Sequence, residues 1–156
     1  MQLGGGFIGS GGGIIFDALQ IPLDPAGRTA ALHHKILAWN ADTANLIAKF
    51  GADTLTEGTG QVEMTGRDTF KLSWVAYAVK QGNPPLIRLI IVLNGAAQFT
   101  GPDSYDITSS LYVYTAFENL PYFTDADADD DGFPDPGTTP IWTVSSFNSA
   151  TRVPIP

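Results

Sequence analysis

The sequence contains no cysteine, which excludes disulfide bonds, thiol nucleophiles and cysteine-bound metals. Histidine is almost as scarce, because His33 and His34 are the only two. Adjacent residues of a strand point to opposite faces, so these two imidazoles would not bind one metal ion together. Any chemistry of the chain must therefore come mainly from carboxylates, hydroxyls and aromatic rings.

Basic residues are few: eight Lys and Arg stand against sixteen Asp and Glu, for a formal net charge of −8. A field of this sign repels phosphates, so we expect no nucleic-acid partner. The longest apolar run, Leu86 to Leu93, is interrupted by Arg88 and is too short to cross a bilayer, so we expect no transmembrane segment. A secreted or periplasmic location with the signal removed and a cytoplasmic location both stay open.

Glycine and proline are abundant, with 17 and 11 residues, whereas only 15% of residues are charged. This composition favours short strands and frequent turns over long surface helices. Aromatic residues at 11% supply enough bulky core material for an ordered fold. We expect one domain over residues 1–156, with a flexible or edge-lying Gly-rich lead-in at 1–13 and an acidic loop insertion at 121–140.

One motif occurs twice. Residues 65–70 and 100–105 both read Thr-Gly-x-Asp-[Thr/Ser]-[Phe/Tyr], and each copy lies between stretches that alternate apolar and polar residues. This pattern predicts two hairpins of an antiparallel meander. We expect both turns at the same end of the sheet, with Asp68 and Asp103 capping the turn amides. The predicted strands are 58–64, 69–79, 86–99 and 104–116.

Further strands are predicted at 14–23, 29–39, 141–147 and 150–155, with a helix over 30–39 as an alternative to the second of these. A helix is predicted from Asp42, a capping residue, to Gly51, a left-handed stop. Asn94-Gly95 is a candidate bulge in a long strand. The total predicts a mainly β fold, an antiparallel up-and-down barrel of about eight strands with one short helix; a β-sandwich is the alternative.

The paired Thr-Gly-x-Asp hairpins, the Gly58-Thr-Gly60 segment and the terminal Ala150-Thr-Arg-Val153 resemble a group of uncharacterised bacterial proteins with lipocalin-like (calycin-type) barrels. The similarity covers roughly residues 50–115 and the C-terminus. It implies a β-barrel that binds a small apolar molecule. It transfers no catalytic residue to this chain.

The strongest chemical signal is an aspartate-rich loop. EF-hand calcium loops place oxygen ligands at positions 1, 3 and 5, Gly at 6, a backbone carbonyl at 7 and a further ligand near 9. The loop resembles the isolated aspartate loops of secreted calcium proteins such as dockerins and thrombospondin repeats, although position 12 is Thr138 and not Glu. A solvated acidic loop without an ion is the alternative. The predicted calcium ligands are Asp127, Asp129, Asp131, Phe133 through its carbonyl, and Asp135.

Alternation along the predicted strands also gives an inner face. The leading hypothesis is a non-enzymatic barrel that binds a small apolar ligand in its interior. A second hypothesis is a small isomerase or cyclase that shapes an apolar substrate, with His34 as the proton-transfer group. A third is a self-assembling extracellular structural protein, so a homo-oligomer stays open. The predicted ligand-binding residues are His34, Trp74, Tyr105, Ser109 and Leu111; no catalytic residue is assigned.

Overall fold

The computed structural model describes residues 7–11, 14–22, 29–38, 41–116 and 125–152, with side chains for residues 29, 44–116 and 125–151. The described chain is mainly β with one short helix, as predicted. Its elements in chain order are β1 (Phe7–Gly11), β2 (Ile14–Pro22), β3 (Thr29–Ala38), α1 (Ala41–Lys49), β4 (Thr54–Leu55), β5 (Gly58–Met64), β6 (Thr69–Lys80), β7 (Leu86–Gly101), β8 (Ser104–Thr115) and β9 (Trp142–Arg152).

All these strands belong to one antiparallel sheet, in the order β4-β6-β5-β3-β2-β1-β9-β8-β7, with a further pairing between β6 and β7. The sheet is curled into a half-barrel. The described strands thus form one curled sheet and not the two stacked sheets of the sandwich alternative. β3 is a strand, so the helix considered over 30–39 is wrong for the residues described there.

The two Thr-Gly-x-Asp turns lie at the same end of the sheet, as predicted. They join β5 to β6 and β7 to β8, and Thr69 at the start of β6 pairs with Gln98 near the end of β7. The backbone N–H of Phe99 also donates to the carbonyl of Asp68, at 2.8 Å. The repeat in the sequence therefore marks two neighbouring hairpins of one meander.

Hydroxyl groups, and not the Asp68 carboxylate, link the two sides of the first turn. Thr65 Oγ1 donates to Thr69 Oγ1 at 3.1 Å, and the amides of Thr65 and Gly66 donate to the Thr69 carbonyl. Within the described residues, no hydrogen bond of the Asp68 side chain is found, so the predicted cap is wrong there. The second turn repeats the hydroxyl pair, at 2.9 Å between Thr100 and Ser104.

The two ends of the inner face are closed differently. At the turn end, Phe70, Phe99 and Tyr105 form an aromatic cluster with ring centroids 5.1 to 6.2 Å apart. At the opposite end, α1 contributes the buried Ile47 and Phe50 to the same hydrophobic core. This placement follows from the topology, because α1 leads into β4, which pairs with the last residues of β6.

The predicted helix is present, and Gly51 follows it with a φ of +76°. It runs from Ala41 to Lys49, so Asp42 lies inside its first turn and not before it, as a capping residue would. The bulge predicted at Asn94-Gly95 is wrong, because both residues keep continuous register with β6 and β8. A Cβ at Gly95 would lie 2.6 Å from Ile107 Cδ1. The glycine thus permits close side-chain packing, whereas the register shifts fall at Ala78/Val79 and Phe99/Gly101.

The ends of the chain differ from the prediction. The two short strands expected at 141–147 and 150–155 form one strand, β9, because Asn148 and Ser149 pair with Ile107 and Asp106 of β8. Residues 153–155 lie outside the described part. Within the expected lead-in, residues 7–11 form β1, which lies between β2 and β9 and not at an edge.

Candidate functional site

The acidic loop between β8 and β9 is held against the sheet at three points. Ala126 and Ile141 each donate a backbone N–H to a carbonyl near the end of β8, both at 2.8 Å. Between them, the phenol of Tyr77 on β6 donates to the carbonyl of Gly132 at 3.0 Å. The described part of the loop, residues 125–141, is therefore anchored near both ends and in its middle.

Within the loop, carboxylates accept hydrogen bonds from nearby backbone amides. Both carboxylate oxygens of Asp127 accept the N–H of Gly132, at 3.1 and 3.3 Å. Asp129 Oδ1 accepts the N–H of Asp131 at 3.3 Å, and Asp131 Oδ1 accepts the N–H of Phe133 at 2.8 Å. Gly132 has a φ of +86°, a conformation that glycine adopts without strain. Gly132 stands at position 6 of the loop, where EF-hand loops have glycine, and it permits the tight bend there.

Three of the predicted ligands come together. Carboxylate oxygens of Asp127, Asp129 and Asp131 lie within 4.8 Å of one another, so the cluster could hold a metal ion. The fourth carboxylate, Asp135, accepts the N–H of Ala128 at 2.9 Å. The side chain of Phe133 is exposed, and its carbonyl as a ligand stays a prediction.

The surroundings of Asp127 disfavour its negative charge. Burial raises the pKa of Asp127, and the carboxylates of Asp131 and Asp129 raise it further, against the lowering effect of the backbone amides of Gly132 and Asp131. Burial, followed by the charges of Asp127 and Asp131, also raises the pKa of Tyr77. A cation among these carboxylates would replace mutual repulsion with attraction.

The interior residues occupy the face that alternation predicts. Trp74, Tyr105 and Ser109 are buried, and Leu111 is half-buried against the core. Leu93 on β7 pairs with both Trp74 and Leu111, so these residues share one level of the sheet. Burial raises the pKa of Tyr105 to about 12, so this phenol stays neutral at ordinary pH.

The position of His34 is described only through its backbone. It pairs with Gly58 of β5 and with Ala18 of β2. Its side chain lies outside the described side chains. The predicted ligand or proton-transfer role of His34 therefore stays a prediction.

Two polar residues of the inner face were not predicted from the sequence. Ser146 Oγ lies 3.0 Å from Ser109 Oγ, and Asn148 Nδ2 donates to Ser146 Oγ at 3.2 Å. The prediction of two strands placed Asn148 in a break between them. The signal that would have found them is the alternation Val144, Ser146, Asn148, Ala150, which the exposed Phe147 obscures.

Comparisons with protein-family models, curated proteins and solved structures give no match for this chain. They bear neither way on the resemblance to lipocalin-like barrels. In the part of the chain that the structure describes, no helix has the length and apolar character needed to span a membrane.

Proposed function

We propose that this protein binds a small apolar molecule inside a closed barrel of about eight strands. The strand pairings support closure, because each of the eight longer strands has a partner on both sides. β1 pairs with β2 and β9, and β6 pairs with β5 and β7. The short β4 pairs with the same strand as β5, farther along β6. The lipocalin-like resemblance implies the same architecture.

The observation that carries the binding proposal is the uneven burial of the inner face. Leu72, Leu93 and Leu111 in the middle of this face are only half-buried, whereas Trp74 beside them and the aromatic cluster at the turn end are buried. Inward apolar side chains that remain partly uncovered are what a small apolar ligand would cover. Trp74, on the same level as Leu93 and Leu111, and Tyr105, nearer the turn end, supply aromatic surface.

Filling the middle of the interior tests this proposal. Wild-type protein should bind an apolar fluorescent dye. Leu93→Trp should weaken this binding at least about tenfold, because the larger side chain occupies the space of the dye. Val92→Trp, on the neighbouring outward position of β7, is the matched control. Circular-dichroism melts would verify that both variants fold. Equal dye binding by the two variants, or no binding by the wild type, would contradict interior binding.

We also propose that the acidic loop binds calcium and that the ion stabilises the contact between the loop and the sheet. Three carboxylates close together, in a loop with oxygen ligands at alternate positions, suit a hard cation that accepts flexible geometry. The loop is linked to β6 through Gly132 and Tyr77, so its order affects the sheet directly.

The calcium proposal is tested by melting the protein with millimolar calcium and with chelator. A ligand that binds only the folded state raises its stability by mass action. The double variant Asp129→Ala/Asp131→Ala should lose this response. Identical melting of the wild type in both conditions would leave only a solvated acidic loop.

A further inference from the structure

The inner face carries one polar cluster among apolar side chains. Ser109 on β8 lies opposite Ser146 on β9, and Asn148 lies opposite Ile107, one inward position farther along. Ser109 is 3% exposed and Asn148 is 6% exposed, whereas Ser146 is half-buried. The cluster is thus inside the sheet, with Ser146 as its most accessible member.

The hydrogen bonds of this cluster are incomplete. Asn148 uses its amide N–H to donate to Ser146, and the contact between Ser146 and Ser109 uses one of the two hydroxyl protons. The carbonyl oxygen Oδ1 of Asn148 is buried and has no hydrogen-bond partner. Buried acceptors of this kind are nearly always satisfied in folded proteins. The cluster therefore offers a strong acceptor and one spare hydroxyl proton.

A hydroxyl group complements both features, because it donates one hydrogen bond and accepts another. A carboxylate would bring a negative charge beside a carbonyl oxygen, and an ether would leave Asn148 Oδ1 unsatisfied. The adjacent half-buried Leu72, Leu93 and Leu111 suit an apolar body attached to the hydroxyl.

We propose that the interior ligand is an apolar molecule with a hydroxyl group, and that this group binds Asn148, Ser146 and Ser109. The hydroxyl donates to Asn148 Oδ1 and accepts the spare serine proton, while the apolar body contacts the leucines. This inference rests on the proposed function and specifies the chemical class of its ligand.

The test compares three probes of equal size: octanol, its isomer methyl heptyl ether, and nonane. Their affinities are measured by competition with the dye, in the wild type and in Asn148→Leu. The wild type should prefer octanol over the ether, and Asn148→Leu should reduce this preference about tenfold. The same substitution at the exposed Asn94 on β7, Asn94→Leu, should leave the preference unchanged. Using the ratio of two ligands removes a general effect of the mutation on the fold.

The other outcomes separate this inference from the proposed function. If all three probes bind but the preference is equal in the wild type and Asn148→Leu, the hydroxyl site is refuted and interior binding stands; an ordered water would then satisfy Asn148. If no probe binds, both fail. Should Asn148→Leu not fold, Ser109→Ala is measured in the same way. A reduced octanol preference in that variant would support the site, and an unchanged one would refute it.

Discussion

Replacing Asp127 by asparagine separates two effects of its carboxylate: the cost of burying a negative charge and the contribution to calcium binding. Asp127 is 6% exposed and lies in a cluster with Asp129 and Asp131, and its raised pKa shows that burial disfavours its charge. Asparagine keeps an oxygen for the N–H of Gly132 and removes the charge. Without calcium, Asp127→Asn should therefore be at least as stable as the wild type at neutral pH. With calcium, it should lose the stabilisation that the ion supplies.

The size of the calcium effect can be estimated from mass action. At about 100 times its dissociation constant, calcium would stabilise the wild type by about 2.7 kcal/mol. A chain of 156 residues unfolds with an entropy of about 0.33 kcal/mol/K, so this corresponds to a Tm increase of about 8 °C. The order of melting temperatures should thus reverse: the variant melts at or above the wild type in chelator and several degrees below it in calcium.

Differential scanning calorimetry in calcium and in chelator measures this reversal. Asp130→Asn is the matched control, because Asp130 is an exposed residue of the same loop and lies outside the cluster of three. Its φ of 59° is one that asparagine tolerates. The control should keep the full calcium shift. A full shift in Asp127→Asn would refute ligation by this residue, and loss of the shift in both variants would indicate a general charge effect.

Three other changes test contacts described above. Tyr77→Phe removes the hydrogen bond to Gly132 and should lower the free energy of unfolding by about 1 kcal/mol, measured by denaturant unfolding. An unchanged unfolding midpoint would show that this bond does not hold the loop. Gly60→Ala places a Cβ against the carbonyl oxygen of Ser73, which cannot move because the backbone there is paired. We therefore expect the free energy of unfolding to fall by about 2–3 kcal/mol in the same assay. A variant as stable as the wild type would contradict this close approach. Because burial raises the pKa of Tyr105 from 10.0 to about 12, its protonated form stabilises the folded state fully below pH 10.0, and this contribution is lost as the pH rises through about 12. When the free energy of unfolding is measured between pH 10 and pH 12, it should fall less steeply with pH for Tyr105→Phe than for the wild type. Equal slopes for the two proteins would refute the burial of this phenol.

The repeated hairpins could be predicted because their signal is local. Strict alternation places Phe70 and Trp74, and likewise Tyr105 and Ile107, on one side of their strands, and the structure buries all four. The turn sequences then determine where each strand ends. No information from distant parts of the chain is needed for these elements.

Other features depend on neighbours that are distant in sequence. Asn148 and Ser149 read as a break between strands, yet pairing with β8 keeps them extended. Gly95 suggested a bulge, but a glycine is required there because the side chain of Ile107 on the adjacent strand leaves no room for a Cβ. In both cases the deciding partner lies on another strand, and the local pattern does not contain it.

The candidate metal site was likewise predictable only in part. The spacing of Asp127, Asp129 and Asp131 predicted that three carboxylates would meet, because alternate positions of a tight loop converge. The burial of Asp127 was not predictable, since it depends on how the loop packs against the sheet near Tyr77. Spacing therefore indicated the ligands, whereas their electrostatics required the fold.

The pairing of β1 with β9 has a consequence for how the chain folds. It joins Phe7 to Arg152, whereas the hairpins from β5 to β8 join residues that are close in sequence. The entropy lost in closing a loop grows with its length, so the hairpins should assemble early and the β1–β9 pairing last. Until that step, β9 has a free edge that another chain can pair with. The pairing of β1 thus removes this edge and protects the folded protein from aggregation through β9.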